Sequence, residues 1–378
     1  MSRTTDVAII GGGAIGCALA WTLARRGLSV TVVERDEPGR GATHAAGGML
    51  SPIAEADAPG PFLDLALASL DRWPAFIDAL REAAGVPIEY RAKGKLHVAL
   101  DDERAEELLA AWRWQRDAGH DVALLDTAET RALEPALTEE VRVGLLVRRD
   151  HWVDNRRLGE ALWVAGAREG VRFLLGKRVA AVERGAGADR TTGIVLDDGG
   201  RISAERVVAA AGAWSGTLAG LPRPLPVEPV RGQIAAVRTV PPALTRIVMA
   251  GHCYLIPRGD GRLMVGATEE RAGFRQHATP AGIASLLGAA LRIVPALADA
   301  PFEECWAGFR PGTPDGLPIL GADPEVEGLF YATGHYRNGI LLTPVTAEVV
   351  ADVITGEVPA LPLSAFAADR FVAAAASQ

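Results

Sequence analysis

Cysteine is scarce in this chain of 378 residues: three in all, Cys17, Cys253 and Cys305, widely spaced and without a C-x-x-C pair. That excludes a disulfide-stapled framework and a cysteine cage for a metal, and it suits a reducing cytoplasm. Positive charge is in deficit. Lys and Arg number 39 against 47 Asp and Glu, for a net charge of −8, where a nucleic-acid partner demands a basic footprint. Long apolar runs are missing as well. No stretch approaches the ~18 uninterrupted apolar residues of a membrane-spanning helix, and the run at 7–10 is too short for the core of a signal peptide. What remains, 49% hydrophobic and 23% charged residues, is a globular composition long enough for two domains. These absences predict a soluble, cytoplasmic protein with no nucleic-acid, membrane or metal partner.

What the chain does have comes at once. Residues 6–34, DVAIIGGGAIGCALAWTLARRGLSVTVVE, read as strand, glycine turn, helix and second strand. Gly11, Gly13 and Gly16 form a G-x-G-x-x-G turn. The first permits a tight bend, the second lets backbone approach a pyrophosphate, and the third lets helix and strand pack closely. The helix N-terminus then faces the phosphates. Glu34 ends the second strand roughly 20 residues beyond the glycines, where an acid accepts from ribose hydroxyls. The motif predicts a dinucleotide and leaves FAD and NAD both open.

Downstream, a Gly- and Ala-rich stretch (residues 35–50) suggests backbone lying against a ligand. Residues 61–84 have helical spacing and stop at Gly85. Strands are predicted over 86–100, helices over 102–118, 127–135 and 156–169, and strands again from 171 to 209. A helix is predicted to start at Trp214. Prolines crowd 222–229, strands dominate 230–268, a helix covers 280–300, and a strand–turn–helix unit closes at Gly356. Trp112 and Trp114 read as packing residues. The alternation predicts an α/β chain of two interleaved domains: one of residues 1–88, 150–222 and 306–378, the other of 89–149 and 223–305.

Five segments occur in order: the N-terminal βαβ unit, AAGGML (45–50), VVAAAGAWSG (207–216), WAGFRPGTPDGLPILG (306–321) and GHYRNGILLTPVTA (334–347). Together with HCYLIPRGDGRLMVGAT (252–268), they resemble the D-amino-acid-oxidase family of FAD enzymes, and within it the glycine-oxidase branch. The resemblance covers essentially the whole chain and favours FAD over NAD. It implies a Rossmann-like FAD-binding domain interleaved with a mixed antiparallel-sheet substrate domain. It also implies that Ala14 and Ile15 meet the pyrophosphate, that Glu34 and Arg35 meet the adenosine end, and that Ala42, Thr43, Gly47, Gly48 and Met49 wrap the flavin side. Val179 and Gly212 belong to the same implied cofactor set. The turn His335, Tyr336, Arg337, Asn338, Gly339, Ile340 and Leu341 is implied to approach the flavin pyrimidine edge with its amides.

For substrate, the resemblance implies Arg310, Arg337 and Tyr254 beside a carboxylate, with His252 and Met49 nearby. A guanidinium fork suits bidentate carboxylate recognition. Structural ion pairing stays open for the arginines, and packing for Tyr254 and His252. The implied reaction is oxidation of glycine, and of sarcosine or small D-amino acids, to the imine and then the 2-oxo acid, with ammonia and hydrogen peroxide released. Molecular oxygen would be the acceptor, thiamine biosynthesis the setting and a homotetramer the assembly. The alternatives are a D-amino-acid dehydrogenase feeding a quinone and a flavoprotein that only binds. Gly308 aligns with the covalent attachment position of the sarcosine-oxidase branch, so FAD is expected to be non-covalent. Glu269 stands where a glycine-oxidase-type sequence has methionine, and Arg275 where relatives often carry an acid; both leave the preferred amine open.

Overall fold

A computed structural model describes residues 3–55 and 58–371. Its strands fall into two eight-stranded sheets and a three-stranded one. In the first sheet Arg3–Ile10 sits centrally, parallel to Val30–Glu34 on one side and to Arg201–Ala209 on the other. Leu329–Thr333 extends the parallel set from Arg201–Ala209. Val7 and Ile9 enter one core while Ala8 and Ile10 enter another. Both faces of the strand are therefore covered, as a continuous apolar run in a parallel sheet requires.

Helices Ala14–Arg25, Pro61–Ala84, Asn155–Arg168 and Thr343–Thr355 bury their apolar stripes in the first of those cores. The 61–84 helix begins with a proline in its first turn and ends at Gly85, whose φ of 63° gives a left-handed cap. The second sheet runs Phe302–Gly312, Glu228–Arg238, Arg262–Gly266, Cys253–Pro257, Ile247–Ala250, Lys95–Ala99, Val143–Val147, Val122–Leu125. Helix Pro280–Ile293 packs on it through Leu286, Ala290 and Ile293. This is the α/β fold with an interleaved mixed-sheet part that the sequence predicts.

The small sheet of Met49–Leu50, His151–Val153 and Tyr90–Arg91 lies where the chain passes between the large sheets. The return runs through the proline-rich segment ahead of Glu228–Arg238. Three details differ from expectation. The change of domain placed at 306 falls inside Phe302–Gly312, which pairs with Glu228–Arg238 in the second sheet along its length. The helix expected at Trp214 is a 3-10 turn, Gly212–Thr217. Gly216 lies against the next segment there: a Cβ on it would stand 2.4 Å from the Val227 carbonyl oxygen. His252, within the stretch 230–268 where strands are expected to dominate, occupies the exposed turn that precedes Cys253–Pro257, next to Gly251 with φ 55°.

Candidate active site

A cavity of about 1120 Å³ runs from the N-terminal glycine turn to the second sheet. Small-molecule sites typically measure roughly 300–1,000 Å³, so this one has room for an extended ligand. At the first end the glycines are set by close approach. Gly11 has φ 108°, and a Cβ on it would lie 2.5 Å from the Ala210 carbonyl oxygen. A Cβ on Gly16 would lie 2.0 Å from the Gly11 oxygen, so Gly16 serves the packing of helix on strand and does not line the cavity. At Gly13 a Cβ would meet only the Thr43 hydroxyl, at 3.6 Å, and the bare backbone forms cavity wall. Gly13 caps the first helix without a side-chain hydrogen bond, and its first turn holds no acid. Ala14 N donates to the Thr43 hydroxyl at 2.9 Å, and the rest of the positive helix end, facing no acid of its own first turn, suits an anion.

Glu34 is aimed by its own neighbourhood. One carboxylate oxygen accepts from Gly12 N at 2.7 Å and the other from Asp36 N at 3.0 Å. Each keeps a second lone pair for a ligand hydroxyl. The Arg35 guanidinium lies 3.4 Å from the Trp214 ring centroid, and Trp214 stacks on Phe274 at 5.2 Å. Val179 and Gly212 complete this end of the lining.

The middle of the cavity is walled by Ala42, Thr43 and Ala45 through Met49. Two residues with no functional signal in the sequence pin this segment. Asn155 Nδ2 donates to the carbonyls of Thr43 (2.7 Å) and His44 (3.1 Å). Arg258 donates to Gly47 O (2.8 Å), Val153 O (3.1 Å) and Asn155 Oδ1 (3.0 Å). Its buried guanidinium stands 4.7 Å from the Trp152 ring centroid. Burial lowers its pKa to about 10, which leaves it charged at neutral pH. On the opposite wall, Gly308 touches Ala45: a Cβ at 308 would fall 2.2 Å from the Ala45 Cβ.

The turn 335–340 forms the far wall. His335 is buried and bonded through Nε2 to the Thr346 hydroxyl at 3.1 Å, and burial pushes its pKa down to about 3, so it is neutral. Asn338 N donates to His335 O at 2.8 Å, closing the turn. The N–H groups of Gly339 and Ile340 make no hydrogen bond within the described chain and border the cavity. Leu341 stands behind the wall. Its carbonyl accepts from Ser69 Oγ (2.6 Å) and Trp73 Nε1 (2.9 Å), which lock the turn to the 61–84 helix.

Tyr254, Arg310, Arg337, His252 and Met49 all line this cavity. The Tyr254 ring is flanked by two glycines: a Cβ on Gly47 would lie 3.1 Å from its hydroxyl oxygen, and one on Gly266 2.4 Å from Cζ. Arg310 folds across Gly232, where a Cβ would come 2.4 Å from Nη1. Its Nη1 donates to Thr268 O at 3.0 Å and Arg231 O at 3.4 Å. No ion pair engages Arg310 among the described residues. Behind it, Glu270 accepts from Arg231, Gln233 and Thr268. Burial opposes ionisation of Glu270, but the hydrogen bonds from Arg231, Thr268 and Gln233 outweigh it and hold the pKa near 2. Arg337 is half exposed, 3.9 Å from Glu269. Arg275 does not line the cavity; its Nε bonds the Ala272 carbonyl at 3.1 Å. Among the described residues there is no group of three or more His, Cys, Asp or Glu able to hold a metal, and no helix long and apolar enough to cross a membrane.

The family model for FAD dependent oxidoreductase matches residues 6–353. The chain belongs to that family. It is 41% identical over 380 residues to the bifunctional protein ThiO/ThiG of Synechocystis, aligning 98% of this chain with 55% of that protein. The chain therefore spans about half of that relative's length. It is 37% identical to glycine oxidase of Geobacillus kaustophilus, with 98% of each chain covered. The crystal structure of that species' glycine oxidase superposes with a TM-score of 0.92, covering 98% of this chain and 99% of the other.

The cavity of this FAD-dependent oxidoreductase fits the family's cofactor. Bare backbone and a positive helix end suit a pyrophosphate, a braced carboxylate suits a ribose, and two unpaired amides suit the carbonyl edge of a flavin.

Proposed function

We propose that this chain is a glycine oxidase. It oxidises glycine, and with it sarcosine or small D-amino acids, to the imine; water then gives the 2-oxo acid and ammonia. The observation that carries the reading is Arg310, a guanidinium held by two backbone carbonyls inside the FAD cavity and engaged by no acid among the described residues. Such a cation recognises a carboxylate in two hydrogen bonds. The match to glycine oxidase of Geobacillus kaustophilus along both whole chains supports the same substrate.

When bound, FAD supplies the acceptor of a hydride from the substrate Cα, and oxygen then takes the electrons as hydrogen peroxide. The chain's own residues do the rest. Arg310 binds the substrate carboxylate and Tyr254 directs its hydroxyl to the same group, with Arg337 and His252 at the rim and Met49 beside them. Tyr254 is held in place by packing against Gly47 and Gly266. Gly339 and Ile340 would offer their amide N–H groups to the carbonyl edge of a bound flavin, where such donors would stabilise negative charge. The cofactor is held non-covalently: position 308 has no room for a side chain, and burial keeps the Cys253 thiol protonated, with its pKa pushed up to about 12. In this reading the first-sheet part is the FAD-binding domain and the second-sheet part the substrate domain. The likeness to a ThiO/ThiG protein supports a place in thiamine biosynthesis.

Anaerobic mixing of the holoenzyme with glycine, sarcosine, D-alanine and D-proline tests this. Bleaching of the flavin by glycine, with peroxide formed on admission of air, is the expected result. A flavin that no member of the panel bleaches overturns the reading.

A further inference from the structure

Glu269 belongs to the cavity wall at the substrate end, and the established fold assigns it nothing. Both of its oxygens are engaged. Oε1 accepts the Tyr336 hydroxyl, and Oε2 faces Arg337 Nη1 at 3.9 Å. Tyr336 is itself fixed, with φ 47° and an N–H donating to the Pro311 carbonyl at 3.0 Å. Burial, and then the hydrogen bond to Glu269, push the Tyr336 pKa up to about 12, so the phenol remains the donor at neutral pH. The carboxylate is thus oriented and stays an acceptor.

Arg310, Arg337 and Glu269 are the charged side chains this wall gathers near Tyr336. Arg310 can meet one substrate carboxylate, but the second cation is faced by a carboxylate of the chain. A substrate bearing a second carboxylate on its nitrogen or α-carbon would bring that group towards Glu269. Like charges brought together at this half-exposed position still repel, which disfavours such a ligand. We propose that Glu269 is a specificity-determining residue that restricts the site to amino acids with a single carboxylate and rejects dianionic amines such as iminodiacetate. The inference rests on the amine-oxidase reading above.

The test compares holoenzyme of the wild type with Glu269→Gln, which keeps an acceptor for Tyr336 and removes the charge, and with Glu269→Met, which removes both. Glu269 is half exposed, so neither change disturbs a core. Two ratios are read. The first is kcat/KM for glycine over iminodiacetate. The second is the Kd of the dianion oxydiacetate over that of the monoanion glycolate, from titration of the flavin absorption spectrum. Both should fall roughly tenfold or more in Glu269→Gln, and the wild-type ratios should shrink with added salt. Ratios that stay put in both variants, with wild type oxidising glycine, overturn the role of Glu269 alone. If wild type oxidises no amine, the proposed function fails, and the Kd ratio still decides for or against Glu269.

Discussion

Arg258 and Asn155, 103 residues apart in sequence, share a hydrogen bond of 3.0 Å inside the wall of the cofactor cavity. Arg258 follows a second-sheet strand, Asn155 opens a first-sheet helix, and both hold the carbonyls of the 43–47 segment. The pair ties the cofactor's wrapping to both halves of the molecule.

Replacing Arg258 by Ala leaves the acceptors at Gly47, Val153 and Asn155 without this donor. An unsatisfied buried group costs about 1–3 kcal/mol, so a loss of about 3 kcal/mol in apo-protein stability is expected, with weaker FAD binding. Lysine should rescue poorly, because an ammonium cannot span three acceptors in the guanidinium's plane. Urea unfolding of the apo-protein and FAD titration by quenching of flavin fluorescence measure both. Equal FAD affinity in wild type and Arg258→Ala would show that the pin is irrelevant to the site.

Arg310→Ala removes the proposed carboxylate fork without touching the glycine turn. Charge-assisted hydrogen bonds contribute about 1.5–3 kcal/mol, so kcat/KM for glycine should fall by on the order of 10²-fold while FAD stays bound. Steady-state oxygen uptake checks this. An unchanged KM for glycine would rule out Arg310 as the recognition residue.

Gly308→Ala puts a methyl where Ala45 already stands, 2.2 Å away. The 45–48 segment must shift, and FAD affinity should drop by roughly tenfold or more, since overpacking costs about 1–3 kcal/mol. Ala45→Gly in the same chain should restore most of the loss. A double variant as weak as the single one would place the clash elsewhere.

Acid should destabilise the fold in part through His335. Burial depresses its pKa to about 3, against about 6.5 when unfolded. The folded state then binds fewer protons than the unfolded one, so this contribution is complete above about pH 6.5 and is lost as the pH falls towards 3. The slope expected from this one group is about 1.4 kcal/mol per pH unit. Unfolding free energies of wild type and His335→Gln at pH 7, 6, 5 and 4 should diverge in slope by that amount. Parallel lines would mean that His335 is already protonated in the folded protein.

The sequence made some of this site readable because certain requirements are local. A glycine turn between strand and helix has one geometry, and Gly11, Gly13 and Gly16 carry it in six residues. The cavity gathers nearly every residue the sequence pointed to, from Glu34 to Ile340. The residues that escaped act at a distance through backbone carbonyls. Arg258 reaches Gly47, and Ser69 and Trp73 reach Leu341; bonds to backbone place no demand on the partner's side chain and leave no motif. Arg258 reads as part of a turn, and Asn155 as a helix opening. His252 was misplaced because a strand pattern does not show where the turn ends, and Trp214 because a short 3-10 turn and a helix start share their residues.

Strand Arg3–Ile10 lies far ahead in sequence of one of its two sheet partners. One of its edges pairs with Val30–Glu34 soon after, but the other waits for Arg201–Ala209. Until Arg201–Ala209 is made, that apolar edge lacks its native sheet partner, the kind of surface that chaperones shield and aggregates recruit. The far wall of the cavity emerges later still, at 335–340. A complete cavity therefore needs residues far apart in the chain, from Gly11 to Ile340, to be folded together.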